Sequence, residues 1–311
     1  MTRDGSGLPN LFIVGAPKCG TTAWVEYLRT HPNVFFPAVK DHCYFALDLP
    51  NFRLTNSKAD YAELFAASGD AKVIGEASAM YLFSAAAAGA IRKHDPAAKI
   101  LIFLREQEDY LPSLHNQFLW EFAEEIEDFE TAWRMSGRRP PESIPGQCLE
   151  PSTLDYKAMG LFREQVERFL MNFPADQIRI FRFRDWVRDP RTSYLEILDF
   201  LGLEDDGRTN FKPVNQGSTY RSRILTRLVV SPPTALRTSA RLIKKVTGPL
   251  GRQLHQLALK IARQASRPGY RAISPPLRDE IRSYYAEDNR RLDELLASSF
   301  SKAGAANSRL A

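Results

Sequence analysis

The stretch Leu11–Thr22, LFIVGAPKCGTT, constrains this chain more than any other. Leu11 to Val14 are four consecutive apolar residues, which predicts a short strand buried on both faces. Gly15-Ala16-Pro17-Lys18-Cys19-Gly20 then breaks the run with two glycines and a proline. Thr21 and Thr22 open a helical pattern whose apolar positions are Trp24, Val25, Tyr27 and Leu28. Strand, glycine-bounded loop and helix start together make an anion site. The first-turn N–H groups lack intrahelical partners, and the positive end of the helix dipole lies there. Glycine lets the backbone come close to an anion.

The spacing Gly15-x4-Gly20 with a hydroxyl at Thr22 comes near the nucleoside triphosphate P-loop, in which Lys follows the second Gly. Here Thr21 holds that place, and the lysine lies inside the loop as Lys18. A cation that emerges earlier sits beside the first anionic group the loop encloses. The pattern therefore predicts a nucleotide with a single 5′-phosphate that carries a transferable group.

Further along, Val34–Phe36, Lys72–Glu76, Lys99–Leu104 and Gln177–Phe183 read as strands. Ala59–Ala67, Ser84–His94, Tyr110–Ile126, Leu154–Phe173, Tyr194–Leu201 and Leu277–Leu296 read as helices between or after them. Arg134–Thr153, rich in Pro, Gly and Arg, reads as a loop. This alternation predicts an α/β fold with a P-loop-like parallel sheet and helices on both faces, followed by a basic helical C-terminal segment. The expected organisation is one domain over 1–311, with a nucleotide-binding core at 10–206, a basic insertion or lid at 207–276, and a last helix at 277–297 that packs back on the core. Ligands of such sheets bind beyond the carboxyl ends of the strands. Gly15–Thr22, Lys40–His42, Glu76–Ser78 and Arg105 all fall at such ends.

The formal charge of +5 hides an asymmetry. From Gly207 to Arg278 there are fifteen Lys or Arg and no Asp or Glu, so the remainder is net acidic. Apolar residues recur between these cations, the pattern of a helix on an anionic surface and equally of an amphipathic helix packed on its own domain. Few aromatics accompany the cations, which argues against nucleic acid. The three cysteines, Cys19, Cys43 and Cys148, lie far apart and match no metal spacing, which suggests reduced thiols in a cytoplasmic setting. The five histidines are scattered, and no metal is expected. MTRDGSGLPN has no apolar core, so no signal peptide is expected.

Taken together, these motifs resemble the sulfotransferases that use 3′-phosphoadenosine 5′-phosphosulfate (PAPS), and most of all the carbohydrate and heparan-sulfate branch with its bacterial relatives. The likeness covers roughly Leu11 to Gly202, continues weakly to Arg223 and returns in the last helix. It implies that Gly15, Ala16, Pro17, Lys18, Cys19, Gly20, Thr21 and Thr22 form the 5′-phosphosulfate loop. It implies that Arg105, with Ser113 eight residues on, holds the 3′-phosphate. Asn215 to Arg223 resembles the family's loop that closes over that phosphate, with Arg221 or Arg223 as the candidates. Lys40-Asp41 resembles the family's Lys-Glu pair, whose carboxylate is the general base; Asp41 is one methylene shorter, and His42 beside it is the other choice. Gly75-Glu76-Ala77-Ser78 resembles a Gly-Glu-Lys-Ser segment with Ala77 in place of the lysine.

The expected reaction is in-line transfer of the sulfuryl group from PAPS to a hydroxyl or amine of a carbohydrate or other small acceptor, leaving 3′-phosphoadenosine 5′-phosphate (PAP). Lys18 and the loop N–H groups would stabilise the leaving phosphate, and no metal is called for. Two other readings are a P-loop nucleotide kinase and a non-catalytic protein that binds a membrane or polyanion through 207–278. On the membrane version the protein is peripheral to the inner face of an anionic bilayer.

Overall fold

The computed structural model describes residues 7–214 and 273–307. Five parallel strands form one sheet: β1 Leu11–Gly15, β2 Val34–Phe35, β3 Val73–Ala77, β4 Lys99–Leu104 and β5 Ile178–Arg182. Their order is β2-β3-β1-β4-β5, which puts the loop-bearing strand in the centre. Every residue of β1 is buried, as a central strand covered on both faces requires. β1 lies beside β4 with Ile13 opposite Leu101, and beside β3 with Leu11 opposite Gly75.

The chain leaves β1 toward β2 on one side, and leaves β4 toward β5 on the other. Right-handed crossovers in opposite directions place their helices on opposite faces and open a crevice between the carboxyl ends of β1 and β4. The helices are α1 Thr21–Arg29, α2 Lys58–Glu63, α3 Ala87–His94, α4 Gln107–Trp120, α5 Phe129–Arg134, α6 Tyr156–Met159, α7 Phe162–Asn172, α8 Phe183–Arg188, α9 Pro190–Leu201 and α10 Pro275–Asn307. Trp24 of α1 is fully buried and stacks on Phe103 of β4 at 5.4 Å between ring centroids, so the phosphate-loop helix is fixed to the strand that carries Arg105.

Several expectations are corrected. Leu154–Phe173 is two helices, because the chain turns at Gly160-Leu161 to admit α10. A Cβ on Gly160 would stand 2.5 Å from the Tyr285 ring, and the Tyr285 hydroxyl donates to the carbonyls of Tyr156 and Lys157. The helix expected at Tyr110–Ile126 begins at Gln107 and ends at Trp120. The short helices α5 and α8 were not anticipated. Each is six residues long, less than two turns, which leaves too little periodicity to detect. The Arg134–Thr153 loop is pinned by a buried Arg139–Glu124 ion pair, in which Glu124 also accepts from the backbone N–H groups of Glu125 and Ile126. Arg278–Asp109, Arg282–Glu108 and a reciprocal Gln107–Asn289 amide pair hold α10 to α4. Arg221, Arg223 and most of the basic segment lie outside the described residues.

Candidate active site

The loop after β1 turns sharply at both ends. Gly15 has φ 147° and Gly20 has φ 90°, and Lys18 between them has φ 60°. Gly15 packs against the Ala79 carbonyl and Leu82, where a Cβ would come within 2.6 Å of the oxygen. Gly20 lies under Trp186, where a Cβ would come within 2.2 Å of the indole. Gly20 is the N-cap of α1 and brings no capping side chain, so the first-turn N–H groups that open from Thr21 and Thr22 are left to a ligand. Ala16, Pro17 and Cys19 are buried and shape the loop from beneath. Burial pushes the Cys19 thiol up, which keeps it protonated.

Lys18 is half-exposed, yet burial pulls its ammonium below the usual lysine range. Glu121 opposes that shift, and the charges of Arg105 and Lys40 reinforce it. A side chain open to solvent but surrounded mostly by protein lines a cleft.

Arg105 follows β4 directly and stacks its guanidinium on Phe183, 4.6 Å from the ring centroid. It has no ion pair or hydrogen bond among the described residues, although Glu106 beside it is bound by Arg184. A half-buried arginine held flat on a ring, with no carboxylate of its own, is a ready anion receptor. Ser113 is half-buried on α4 and likewise has no hydrogen-bond partner among the described residues. The structure brings Lys18 and Arg105 to the two sides of the β1/β4 crevice.

Asp41 enters from the β2/β3 side. Its φ of 63° and the 51° of Cys43 are uncommon for side-chain-bearing residues, and backbone bonds impose them. The Asp41 N–H donates to the Ala77 carbonyl at 2.8 Å, and Asp41 Oδ1 accepts from the Ala79 N–H at 2.9 Å. Asp41 Oδ2 pairs with Lys40 Nζ. The Asp41 side chain is 42% exposed, whereas His42 is only 8% exposed. His42 turns Nδ1 to the Thr55 hydroxyl at 3.1 Å, and burial holds its imidazole below the usual range.

Beneath this loop lies a carboxylate that the sequence did not single out as a hub. Glu76 is 1% exposed and accepts from the hydroxyls of Ser78 at 2.6 Å, Tyr61 at 2.9 Å and Tyr81 at 2.9 Å. Burial raises its carboxyl to about 7, with the three hydroxyl bonds opposing. Ser78 in turn accepts from the Cys43 N–H, and Tyr81 from the Phe45 N–H. The Cys43 and Phe45 end of the turn thus rests on Glu76 through Ser78 and Tyr81, while Asp41 itself is held by the backbone of Ala77 and Ala79.

Glu121 caps the end of α4 and was also missed, because nothing in its spacing links it to the loops. It is solvent-exposed, accepts from Gln117 Nε2 at 2.8 Å, and lies within electrostatic reach of Lys18, Asp41 and Lys40. Although the residue is open to solvent, the protein crowded around its carboxyl desolvates it and raises it, Asp41 adds to the shift, and Gln117 and the two lysines oppose it. Among the described residues no ion pair joins Glu121 to either lysine. Among the described residues there is no group of three or more His, Cys, Asp or Glu arranged for a metal ion, and no helix long and apolar enough to cross a membrane.

Residues 8–216 match the sulfotransferase domain family. Human heparan sulfate glucosamine 3-O-sulfotransferase 3B1 is 24% identical over 207 residues, covering 65% of this chain and 48% of that protein. Carbohydrate sulfotransferase 15 of Rattus norvegicus is 26% identical over 259 residues, covering 63% and 44%. A membrane-associated sulfotransferase of Dictyostelium discoideum is 24% identical over 282 residues, covering 67% and 59%. The chain thus spans about half the length of these relatives. The crystal structure of a sulfotransferase from Alicyclobacillus acidocaldarius shares the fold, with a TM-score of 0.66, 24% identity and coverage of 96% of this chain and 97% of that one. The kinase reading falls with this match, since the lysine-in-loop motif lies inside the matched span and the strand that would carry an acidic metal ligand ends in Arg105. By its residues 8–216, the chain belongs to the sulfotransferase domain family.

Proposed function

We propose that this protein transfers a sulfuryl group from PAPS to a hydroxyl or amine of a carbohydrate or other small acceptor. The observation that carries the reading is the pairing of Lys18, in a glycine-bounded loop at a helix N-terminus, with the unpaired Arg105 across the β1/β4 crevice. A nucleotide with phosphate at both 3′ and 5′ needs two separate anion receptors, and these residues fit that demand. The first-turn N–H groups of α1, Lys18 and the Thr21 and Thr22 hydroxyls would hold the 5′ side. Arg105 and Ser113 would hold the 3′-phosphate, with Arg221 or Arg223 joining them.

PAPS supplies an activated sulfuryl group, with the 5′-phosphate as leaving group. The chain stabilises negative charge on that phosphate with Lys18 and oriented N–H dipoles, in surroundings that exclude much of the water. Asp41 is the favoured base: its side chain is 42% exposed, it is fixed by Ala77 and Ala79, and like Lys18 it lies within electrostatic reach of Glu121. It accepts the acceptor's proton as the acceptor oxygen or nitrogen attacks. His42, buried on Thr55, is better placed to support the loop.

The test is a thermal-shift and calorimetric comparison. PAP should bind and raise Tm, and ATP with magnesium should not. Transfer of labelled sulfur from PAPS to any member of a sugar, glycolipid and phenol panel completes it; PAP that fails to bind overturns the reading.

A further inference from the structure

Helix α8 touches both anion receptors of the proposed site. On the 3′ side, Phe183 is the platform on which the Arg105 guanidinium stacks at 4.6 Å, and Arg184 binds the neighbouring Glu106 at 3.2 Å. On the 5′ side, Trp186 closes over Gly20, the N-cap of α1. A Cβ on Gly20 would stand 2.2 Å from Cζ2 and 2.8 Å from Cη2 of the indole, so the benzo ring occupies the space that a side chain would take. Trp186 also meets Phe183 edge to face, with 5.0 Å between ring centroids, and Trp24 of α1 at 5.6 Å. Gly20, Trp186, Phe183 and Arg105 thus form an unbroken line of contacts from one receptor to the other.

The strand order explains why a tryptophan stands here. β5 lies two strands from β1, with β4 between them, about 10 Å at the usual interstrand spacing. The helix that follows β5 therefore needs a long side chain to reach the loop that follows β1. A planar indole crosses that distance with two side-chain torsions, where an unbranched chain of similar reach has three or four. Trp186 is 6% exposed, so packing on almost every side fixes its ring. Trp24 is stacked in turn on Phe103 of β4, which braces the indole against the central sheet.

We propose that Trp186 is a positioning residue that sets the separation between the phosphate loop and Arg105, and that this separation selects a nucleotide phosphorylated at both the 3′ and the 5′ position. The proposal rests on the sulfotransfer reading above. A ligand with two phosphates on one nucleoside gains from both receptors only when their spacing matches its own. A ligand with one phosphate settles on either receptor alone and does not register the spacing. Trp186 acts through Gly20 and Phe183 and is not itself a phosphate ligand.

The test measures, by calorimetry on the full chain, the affinities of PAP, adenosine 5′-monophosphate and adenosine 3′-monophosphate. Trp186→Phe keeps an aromatic ring beside Phe183 and opens a gap over Gly20. It should weaken PAP about tenfold or more, a part of the roughly 100-fold or greater gain that joining two contacts in one ligand brings, while each monophosphate changes by less than about twofold. Trp186→Tyr, which reaches farther toward Gly20, should fall between wild type and Trp186→Phe, and it carries the test where Trp186→Phe does not fold. Trp133→Phe is the control for a purely structural loss, because Trp133 is fully buried and packs on Tyr284 and Tyr285 of α10. It should lower Tm and leave the preference for PAP unchanged. Equal losses for all three nucleotides in Trp186→Phe, or an unchanged PAP affinity, overturn the inference and leave the sulfotransfer reading standing. Wild-type protein that does not bind PAP overturns the sulfotransfer reading, and the inference falls with it.

Discussion

The Ser78 hydroxyl donates to Oε1 of the buried Glu76 across 2.6 Å, and the same oxygen of Ser78 receives the Cys43 N–H at 3.0 Å. One hydroxyl thus couples a carboxylate with no exposure to the turn that presents Asp41. Glu76→Ala would leave the hydroxyls of Ser78, Tyr61 and Tyr81 without their acceptor, and removing one buried partner typically costs about 1–3 kcal/mol per orphaned group. Its expected effect on catalysis is a lower kcat with PAP affinity retained, because the turn it supports lies on the acceptor side. Glu76→Gln should recover most of the rate. Equal losses of kcat and PAP affinity would show that Glu76 supports the fold in general rather than this turn.

The same carboxyl makes a pH prediction. Its folded value of about 7 lies above its unfolded value near 4.5, so between those limits the folded state holds a proton that the unfolded state has released. Glu76 therefore favours folding at acid pH, and its contribution is lost as pH rises from about 4.5 to 7. A shift of this size is worth on the order of 3 kcal/mol. Urea unfolding of wild type and Glu76→Gln at a series of pH values should show the wild type losing ground to the variant across that window. A constant difference would sink the argument.

Lys18→Ala should lower kcat by about 100- to 1,000-fold, the range seen when a preorganised oxyanion donor is removed. Tm should hold, because Lys18 has no ion pair among the described residues to lose. Steady-state rates with PAPS and a melting curve check both halves.

Arg105→Ala and Ser113→Ala should each weaken PAP far more than adenosine 5′-monophosphate, measured by calorimetry. A charge-assisted phosphate contact is worth roughly 1.5–3 kcal/mol, so the arginine variant should lose about tenfold to 100-fold. Arg105→Lys should recover only part of this, since lysine lacks the planar fork and stacks less well on Phe183.

Asp41→Asn should cut kcat and leave PAP affinity near wild type, because a base acts only in the transition state. His42→Ala should keep more activity and lose stability, since it removes a buried ring bonded to Thr55. An active Asp41→Asn together with an inactive, folded His42→Ala would reassign the base to His42.

The glycine-bounded loop between β1 and α1 was legible from the sequence because it is local. Strand, glycines, Lys18 and helix start fall within twelve residues, and each has its meaning from its neighbours alone. The four apolar runs that became β1 to β4, and the polar residues at their ends, were legible for the same reason: a buried parallel strand has to be apolar, and it has to stop where its loop begins. Arg105 and Ser113 came from the family resemblance rather than from spacing alone, and the structure puts them on one strand-to-helix unit.

Tertiary structure decided whatever depends on which segments meet. The strand order put β1 between β3 and β4, which sets the loop that carries Lys18 beside the strand end that carries Arg105, within electrostatic reach of it. Glu76 looked like one more strand-end residue until Tyr61, Tyr81 and Ser78 closed around it, a cluster that spans a helix, a strand end and a turn. Glu121 joined the cleft because α4 carries it there, sixteen residues beyond Arg105. Between Asp41 and His42 the sequence offered no choice, since both side chains suit a base. Burial distinguishes the two side chains and is the ground on which Asp41 is proposed; it is a property of what packs against a side chain, which adjacent residues in a chain need not share.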